Sequence, residues 1–239
     1  MSALADWLAN NPIFSCFSEK EREKISAAAV PRKCAAGERL TFYGDIWPYL
    51  FLVTSGTIQV TKESSEGRSL IVLVLESGDL FWGLGFFEDG AGMPGMLEAQ
   101  NDSQVYLWSR EQLMPWLLAN GRFSWELSRL AVSRMQRASV IVEELAFKPV
   151  AGRLAGLLLD YYQDAIGEPV ARSLTLDQMA AHIGTTREMV CRLLYRFSDQ
   201  NLIHITRTEF VLHDEIGLMK LTGDKTEDLP KSGRKKFKT

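Results

Sequence analysis

Cysteine is scarce in this chain. The 239 residues contain three, Cys16, Cys34 and Cys191, and none of them forms a CxxC pair. A disulfide framework or a structural zinc site needs clustered cysteines, so the sequence predicts neither. We therefore expect a reducing, cytoplasmic location, in which Cys16 and Cys34 act as small apolar residues.

Long apolar runs are also lacking. No stretch approaches the roughly 20 apolar residues of a membrane-spanning helix. The segment from Met1 to Phe14 includes Asp6, Asn10 and Asn11, whereas a secretory signal needs a cationic start and an unbroken apolar core. The sequence thus predicts a soluble protein with no membrane partner.

Neither an excess of positive charge nor a catalytic residue set is found. The net charge is −3, so a nucleic-acid-binding surface must be a local patch on an acidic protein. No Ser-His-Asp, Cys-His or metal-ligand set is visible, and Gly83-Leu84-Gly85 is too short for a dinucleotide fingerprint. We expect a protein that is not an enzyme.

The first half of the chain carries short β-rich runs separated by glycine-containing turns. The runs are Leu50–Val53, Thr57–Thr61, Ser69–Leu75 and Gln104–Trp108, and the turns contain Gly37, Gly44, Gly56, Gly67, Gly78 and Gly90. Even spacing of short strands and turns predicts a compact barrel.

A long helical pattern follows, from about Arg122 to Leu145. Its apolar residues alternate by four and three positions, the spacing of a coiled-coil seam. The seam comprises Ala131, Met135, Ala138, Val142 and Leu145. A helix packed on its own barrel is the alternative, but the flanking charges favour a homodimer.

The last third contains a helix-turn-helix pattern. Thr175-Leu176-Asp177-Gln178 has the spacing of a capping box, Gly184 allows the left-handed conformation that ends a helix, and Thr185 or Thr186 caps the next one. Residues 202–205 and 210–213 then predict a β-hairpin wing around Thr206–Glu209. This set of parts is typical of a double-stranded DNA-binding module.

The exposed face of the second helix suits the major groove. Arg187 and Arg192 can donate two hydrogen bonds to guanine, and Glu188 can accept one from cytosine, so these three are the predicted base readers. Thr175, Thr185 and Thr186 lie at helix starts, where phosphates bind, and Cys191 lies near the DNA. Oxidation of Cys191 is therefore expected to be inhibitory.

Several landmarks together resemble the CRP/FNR superfamily of dimeric regulators. They are Ala36-Gly37-Glu38, Gly44-Asp45, Ser55-Gly56, Gly78-Asp79, Leu145-Ala146-Phe147, Gly152-Arg153-Leu154-Ala155 and Gly184 with Arg187-Glu188 and Arg192. The resemblance implies an α+β fold: a cyclic-nucleotide-binding-type β-barrel (jelly roll), a dimerisation helix and a winged helix-turn-helix. It also implies TGTGA-like inverted half-sites and RNA polymerase as a partner.

The effector segment departs from the cyclic-AMP-binding relatives. Gly83 stands where the resemblance implies a ribose-binding Glu, while Met93 and Pro94 replace the phosphate-binding Arg and Ser. A phosphate would lack its counter-charge, so cAMP is not expected. The predicted pocket is apolar and comprises Trp82, Gly83, Leu84, Phe86, Met93, Met135, Ala138 and Ser139.

The cofactor remains open at the level of sequence. Three cysteines are too few for the four that the iron–sulfur members need, so a cluster is not expected. Haem with a diatomic gas stays open, although His182, His204 and His213 all lie in the DNA-binding half. Any other small-molecule effector is unspecified.

Four segments are predicted. They are a sensor barrel over residues 1–121, a dimerisation helix over 122–147, a winged helix-turn-helix over 148–222 and a disordered basic tail over 223–239. The rival to a DNA-binding regulator is a ligand-binding regulatory module without specific DNA binding.

Overall fold

The computed structural model describes residues 3–162 and 166–223. The helices are α1 (Ala3–Asn10), α2 (Glu19–Ala28), α3 (Arg110–Ala119), α4 (Gly121–Phe147), α5 (Val150–Tyr161), α6 (Leu176–Ile183), α7 (Arg187–Asp199) and α8 (Glu215–Thr222). The strands are β1 (Val30–Cys34), β2 (Arg39–Thr41), β3 (Tyr49–Ser55), β4 (Ile58–Glu63), β5 (Ser69–Leu75), β6 (Leu80–Trp82), β7 (Met96–Ala99), β8 (Ser103–Ser109), β9 (Val170–Ala171), β10 (Ile203–Ile205) and β11 (Glu209–Leu212).

The chain divides into two compact units. One comprises residues 1–62 and 72–138, and the other comprises residues 63–71 and 139–239. The predicted segment boundaries stay predictions, and the predicted basic tail lies outside the described residues from position 224 onward. None of the described helices is long and apolar enough to cross a membrane.

The first half of the chain contains a β-barrel of two four-stranded sheets. Their strand orders are β1-β8-β3-β6 and β2-β7-β4-β5. Three of the four predicted runs lie within β3, β5 and β8, and the fourth, Thr57–Thr61, begins one residue before β4. The strands β1, β2, β6 and β7 were not predicted as separate elements, because all four are only three to five residues long and β1 contains Pro31.

Alternation along β3 separates two apolar clusters. Phe51 and Val53 face the barrel interior, and Leu50 and Leu52 face the helices, because successive side chains of a strand point to opposite faces. The inner cluster also includes Cys34, Trp47, Val60, Leu75, Met93, Leu97 and Val105. In the outer cluster, residues of α1, α2, α3 and α4 pack on the sheet. They include Leu8, Ile25, Leu113 and Phe123 of the helices, which join Trp108 of β8.

The second unit has its own core. Large side chains of α5, α6, α7 and the small sheet pack together, including Leu154, Leu158, Met179, Val190, Phe197, Phe210 and Leu218. Tyr162 anchors the start of the module, because its hydroxyl accepts hydrogen bonds from the amides of Ser173 and Leu174. The predicted wing strands are β10 and β11, which pair in antiparallel fashion; β9, with two residues, pairs with β11 and was not predicted.

The helix-turn-helix has the predicted local chemistry. The Thr175 hydroxyl accepts from the Gln178 amide at the start of α6, with the reciprocal bond completing a capping box. Gly184 ends α6 with φ of +62°. Of the two predicted caps for α7, Thr186 is the one observed, since its hydroxyl accepts from the Met189 amide.

We predict that Gly184→Ala lowers the free energy of unfolding by about 1–2 kcal/mol, because an L-residue is strained in the left-handed region. The new Cβ would also lie 2.8 Å from Cδ2 of Leu145. Gly156→Ala is the matched control: it lies inside α5, and its Cβ would meet Thr222 Cγ2 at 3.9 Å. Gly156→Ala should stabilise by about 0.5–1 kcal/mol. Urea unfolding measures both, and equal changes would contradict the prediction.

Candidate nucleic-acid interface

Helix α7 divides cleanly into a buried and an exposed face. Val190, Leu194 and Phe197 are at most 3% exposed, whereas Arg187, Glu188 and Arg192 are exposed. Burial of the apolar stripe dictates which side chains face solvent, because residues three and four apart share a helix face. The three predicted base readers therefore lie together on one accessible surface.

Arg187 is held in an ion pair. Its Nη1 lies 3.3 Å from Oδ2 of Asp177, and both side chains are largely exposed. Solvent screens such a pair, which is worth at most about 1 kcal/mol. Arg187 can thus exchange the carboxylate for another acceptor at small cost. Arg192 donates to the sulfur of Met189 at 3.0 Å, a weak acceptor.

Glu188 stays ionised at neutral pH. Hydrogen bonding with the Thr186 side chain lowers the pKa of the Glu188 carboxyl from its ordinary value. The hydroxyl of Thr186 thus has two roles, since it also accepts from the Met189 amide. An ionised carboxylate is an obligate acceptor, which is the form that a cytosine amino group requires.

The predicted phosphate-contacting threonines differ in exposure and in the hydrogen bonds that they already make. The amide and the hydroxyl of Thr175 both donate to Oε1 of the Gln178 side chain, at 2.9 and 3.0 Å. Thr185 is half-buried and its amide donates to the Ala180 carbonyl, while Thr186 is exposed. The hydroxyls of Thr175 and Thr186 therefore serve first as helix caps.

Two grooves follow the exposed face of α7. The larger has a volume of 730 Å³ and is lined by Leu176, Arg187, Glu188, Cys191, Arg192, Tyr195, Arg196 and Asp199. The smaller, which we call the wing cleft, has a volume of 310 Å³ and is lined by Arg172, Leu176, Cys191, Leu194, Tyr195, Ile205, Thr206 and Arg207. Half-buried Cys191 belongs to both linings.

Sequence reasoning missed several residues of these grooves. Tyr195 and Asp199 continue the spacing of Glu188 and Arg192 by three and four positions, so the helical period could have identified them. Arg172 and Arg207 lack such a signal. They meet only because β9 pairs with β11, and a two-residue strand has no periodicity.

The predicted effector-pocket residues do not form one lining. Trp82 and Phe86 pack with the outer cluster, whereas Met93 is 2% exposed in the inner cluster. Side chains alternate along β6, so Phe81 rather than Trp82 faces the interior, and the effector pocket stays a prediction. The remaining members are Gly83, which is buried, and Leu84, Met135, Ala138 and Ser139, which are exposed.

Gly83 packs directly against Trp47. A Cβ at position 83 would overlap the Trp47 carbonyl oxygen and lie 2.8 Å from the Trp47 Cβ. Any larger residue at this position, including the Glu expected of a ribose-binding site, would displace the chain at Trp47. The position therefore requires glycine.

The predicted seam residues are exposed on α4. Met135 is 66% exposed, Val142 65% and Leu145 37%, and Ala131 and Ala138 are exposed as well. A single chain leaves this apolar stripe in water, although apolar surface favours burial.

The described residues contain no group of three or more His, Cys, Asp or Glu side chains that could hold a metal ion. Burial raises the pKa of the Cys16 and Cys34 thiols. Burial also lowers the pKa of His182 to about 4, and its Nε2 lies 3.2 Å from the Tyr161 hydroxyl. Cys34 belongs to the inner cluster and Cys16 packs against the outer cluster, while His182 is half-buried.

Comparison with known proteins gives matches over both units. Residues 31–120 match the cyclic nucleotide-binding domain family and residues 152–221 match the Crp-like helix-turn-helix domain family. The cAMP-activated global transcriptional regulator Vfr of Pseudomonas aeruginosa is 28% identical over 193 residues, which cover 78% of this chain and 90% of Vfr. The cAMP-activated global transcriptional regulator CRP of Salmonella typhimurium is 30% identical over 158 residues, which cover 64% of this chain and 75% of the relative.

Solved structures share the fold. A transcriptional regulator of the crp/fnr family from Eubacterium rectale aligns with a TM-score of 0.74 at 20% identity, over 89% of this chain and 98% of that chain. The c-di-GMP responsive global regulator CLP of Xanthomonas campestris aligns with a TM-score of 0.71 at 20% identity, over 82% of this chain and 99% of that chain. The chain thus contains a cyclic nucleotide-binding domain followed by a Crp-like helix-turn-helix domain, and it covers 75% of a relative that is 30% identical. It belongs to the CRP/FNR family of DNA-binding transcription regulators, with a sensory domain of the cyclic-nucleotide-binding type at its N-terminus.

Proposed function

We propose that two copies of this chain bind an inverted-repeat, TGTGA-like DNA site, each reading one half-site with Arg187, Glu188 and Arg192. The observation that carries the proposal is the exposure of these three side chains along one groove of α7. Two guanidinium groups and one carboxylate on a single helix face offer donors for guanine and an acceptor for cytosine. The resemblance of this helix to the catabolite-activator type supports the half-site sequence.

Phosphate contacts would orient α7 without reading sequence. The start of α7 leaves amide groups that attract anions, since the helix dipole is positive at that end. Thr185 and Thr186 belong to this helix start, and Arg196 extends the positive face of the groove. The local positive charge compensates for the net charge of −3 of the whole chain.

A homodimer through α4 accounts for the exposed apolar stripe. Ala131, Met135, Ala138, Val142 and Leu145 lie within about 80° of one another around the helix, because each residue advances it by about 100°. An identical helix is the natural partner for a self-complementary stripe in a family of dimeric regulators. RNA polymerase remains an expected partner, as the resemblance to the family implies.

The proposed effector is not cAMP. The named relatives are cAMP-activated regulators, yet this chain has buried Met93 where the resemblance implies a phosphate-binding Arg. Gly83, packed on Trp47, supports the same conclusion. Haem with a diatomic gas stays open as an effector, and we propose no ligands for it. The ligand-binding module without DNA activity is disfavoured, because it has no need of the exposed α7 face.

We predict that Arg187→Ala and Glu188→Ala each relax the sequence preference at a different base pair. Each loss is worth roughly 1–3 kcal/mol of discrimination. Selection of bound duplexes from a random pool, with the full chain at fixed salt, measures the preference. Wild-type protein should recover an inverted repeat.

Lys220→Ala is the matched control, because Lys220 is exposed on α8 and lines neither groove. Its preference should equal that of the wild type. Unchanged preferences for both Arg187→Ala and Glu188→Ala would refute the base-reading assignment. Recovery of no inverted repeat by the wild type would favour the ligand-binding module.

We predict that Met135→Glu with Val142→Glu produces a monomer, because two carboxylates on each helix cannot be buried in an apolar seam. Light scattering coupled to gel filtration measures the mass. Ser133→Glu is the control: Ser133 is exposed and lies about 200° around α4 from Ala131, so the dimer should persist. A dimer in the double variant would disprove the seam.

We predict that cAMP does not stabilise the protein. A ligand at about 100 times its Kd would add about 2.7 kcal/mol to the free energy of unfolding, which thermal unfolding detects. Melting in about 1 mM cAMP should match melting in the same concentration of AMP, since both lack a cationic partner at Met93. A higher Tm with cAMP alone would overturn the exclusion.

A further inference from the structure

The turn of the wing is a short segment held by several hydrogen bonds. Residues 206–208 connect the three-residue strand β10 to the four-residue strand β11. Within the turn, the Thr206 amide donates to the Glu209 carbonyl, and the Thr206 hydroxyl accepts from the amides of Thr208 and Glu209. An isolated hairpin of this length has little stability of its own, so its shape depends on what packs beside it.

Arg172 binds every carbonyl of this turn. Its amide donates to the Thr208 carbonyl at 2.8 Å. Its Nη1 is shared between two carbonyl oxygens of the turn, that of Thr206 at 3.3 Å and that of Arg207 at 3.5 Å. One residue, placed directly after β9, therefore ties the whole turn to the small sheet.

The same guanidinium is itself fixed by packing. Its Cζ lies 5.2 Å from the centroid of the Phe210 ring. Phe210 is fully buried, and its ring contacts Tyr162 at a centroid distance of 4.7 Å. A cation over an aromatic face is attracted to it, and a planar guanidinium suits this arrangement better than an ammonium. Arg172 thus connects the exposed turn to the core of the second unit.

Arg207 stands at the middle of the anchored turn. It is exposed and lines the wing cleft, as do Cys191 and Tyr195 of α7. The wing cleft, with its volume of 310 Å³, lies between Arg207 and the base-reading helix α7. A DNA strand whose bases contact α7 must run its backbone past one side of the helix, and a cation there can neutralise a phosphate.

We propose that Arg172 is a positioning residue for DNA binding: it holds the turn 206–208 so that Arg207 meets a backbone phosphate of the bound duplex. This inference rests on the proposed DNA-binding function. The amide and Nη1 of Arg172 are directed to the carbonyls of the turn, whereas Arg207 supplies only its carbonyl to that arrangement. The charge of Arg207 therefore acts on DNA, and Arg172 acts through Arg207.

The dependence of DNA affinity on salt distinguishes positioning from direct contact. Each neutralised phosphate contributes about 0.9 to the slope of log K against log salt. Arg207→Ala should therefore reduce the magnitude of the slope by about 1 per subunit. Arg172→Lys keeps the charge but cannot bridge the turn carbonyls, so it should reduce the slope by a similar amount.

The double variant is decisive. If Arg172 acts through Arg207, Arg172→Lys in the Arg207→Ala background should leave the slope unchanged. A further loss in the double variant would mean that Arg172 acts on DNA binding independently of Arg207 and would overturn the proposal. The measurements use the full chain with two duplexes of equal length, the site recovered by selection and a scrambled sequence. The loss should be equal for both, because phosphates carry no sequence information.

Two further variants keep the result interpretable. Thr206→Ala removes the hydroxyl that accepts from two turn amides, so it should reduce the slope even if Arg172→Lys does not fold. Lys220→Ala removes one positive charge from α8 and should leave the slope unchanged. A normal slope in Arg207→Ala would overturn the inference while wild-type selection succeeds. Failure of the wild type to bind either duplex would instead refute the proposed function.

Discussion

Burial of one apolar stripe on α7 determines what the second unit can present to a partner. Val190, Leu193, Leu194 and Phe197 fill the core beside α5 and the small sheet, and the helical period leaves Arg187, Glu188 and Arg192 outside. The caps at Thr175 and Thr186 and the left-handed Gly184 then set where α6 and α7 begin and end. The burial of the apolar stripe of α7 thus determines that Arg187, Glu188 and Arg192 face solvent.

Arg153 connects the parts of this unit that flank the helix pair. Its guanidinium donates to the carbonyls of Ile183, at the end of α6, and of Lys148, just beyond α4. Removal of this cation from water lowers its pKa, and the hydrogen bonds to carbonyls compensate. Two helix ends are therefore bound by one guanidinium, through Nε and Nη1, which restricts independent movement of α6 against the end of α4.

The sequence predicted elements whose pattern is local and missed relations that depend on pairing. The caps, Gly184, the α7 face and the wing strands follow from spacing and residue chemistry, and the structure has them. The sequence did not indicate that Trp82 and Phe86 join the outer cluster while Met93 joins the inner one, because one residue of register reverses a strand's faces. Arg172 was missed because its partners become neighbours only through the pairing of β9 with β11.

The pairing of Asp177 with Arg187 has a consequence for how the protein finds its site. In the proposed complex, Arg187 would leave Asp177 to bind a guanine, and an unpaired carboxylate close to the DNA would cancel part of the attraction between protein and polymer. Contacts with arbitrary sequence, which depend almost wholly on attraction to phosphates, are weakened most in relative terms. Shorter residence at wrong positions lets a regulator sample a chromosome faster, so in the proposed complex an acidic residue beside the base readers would favour the speed of the search.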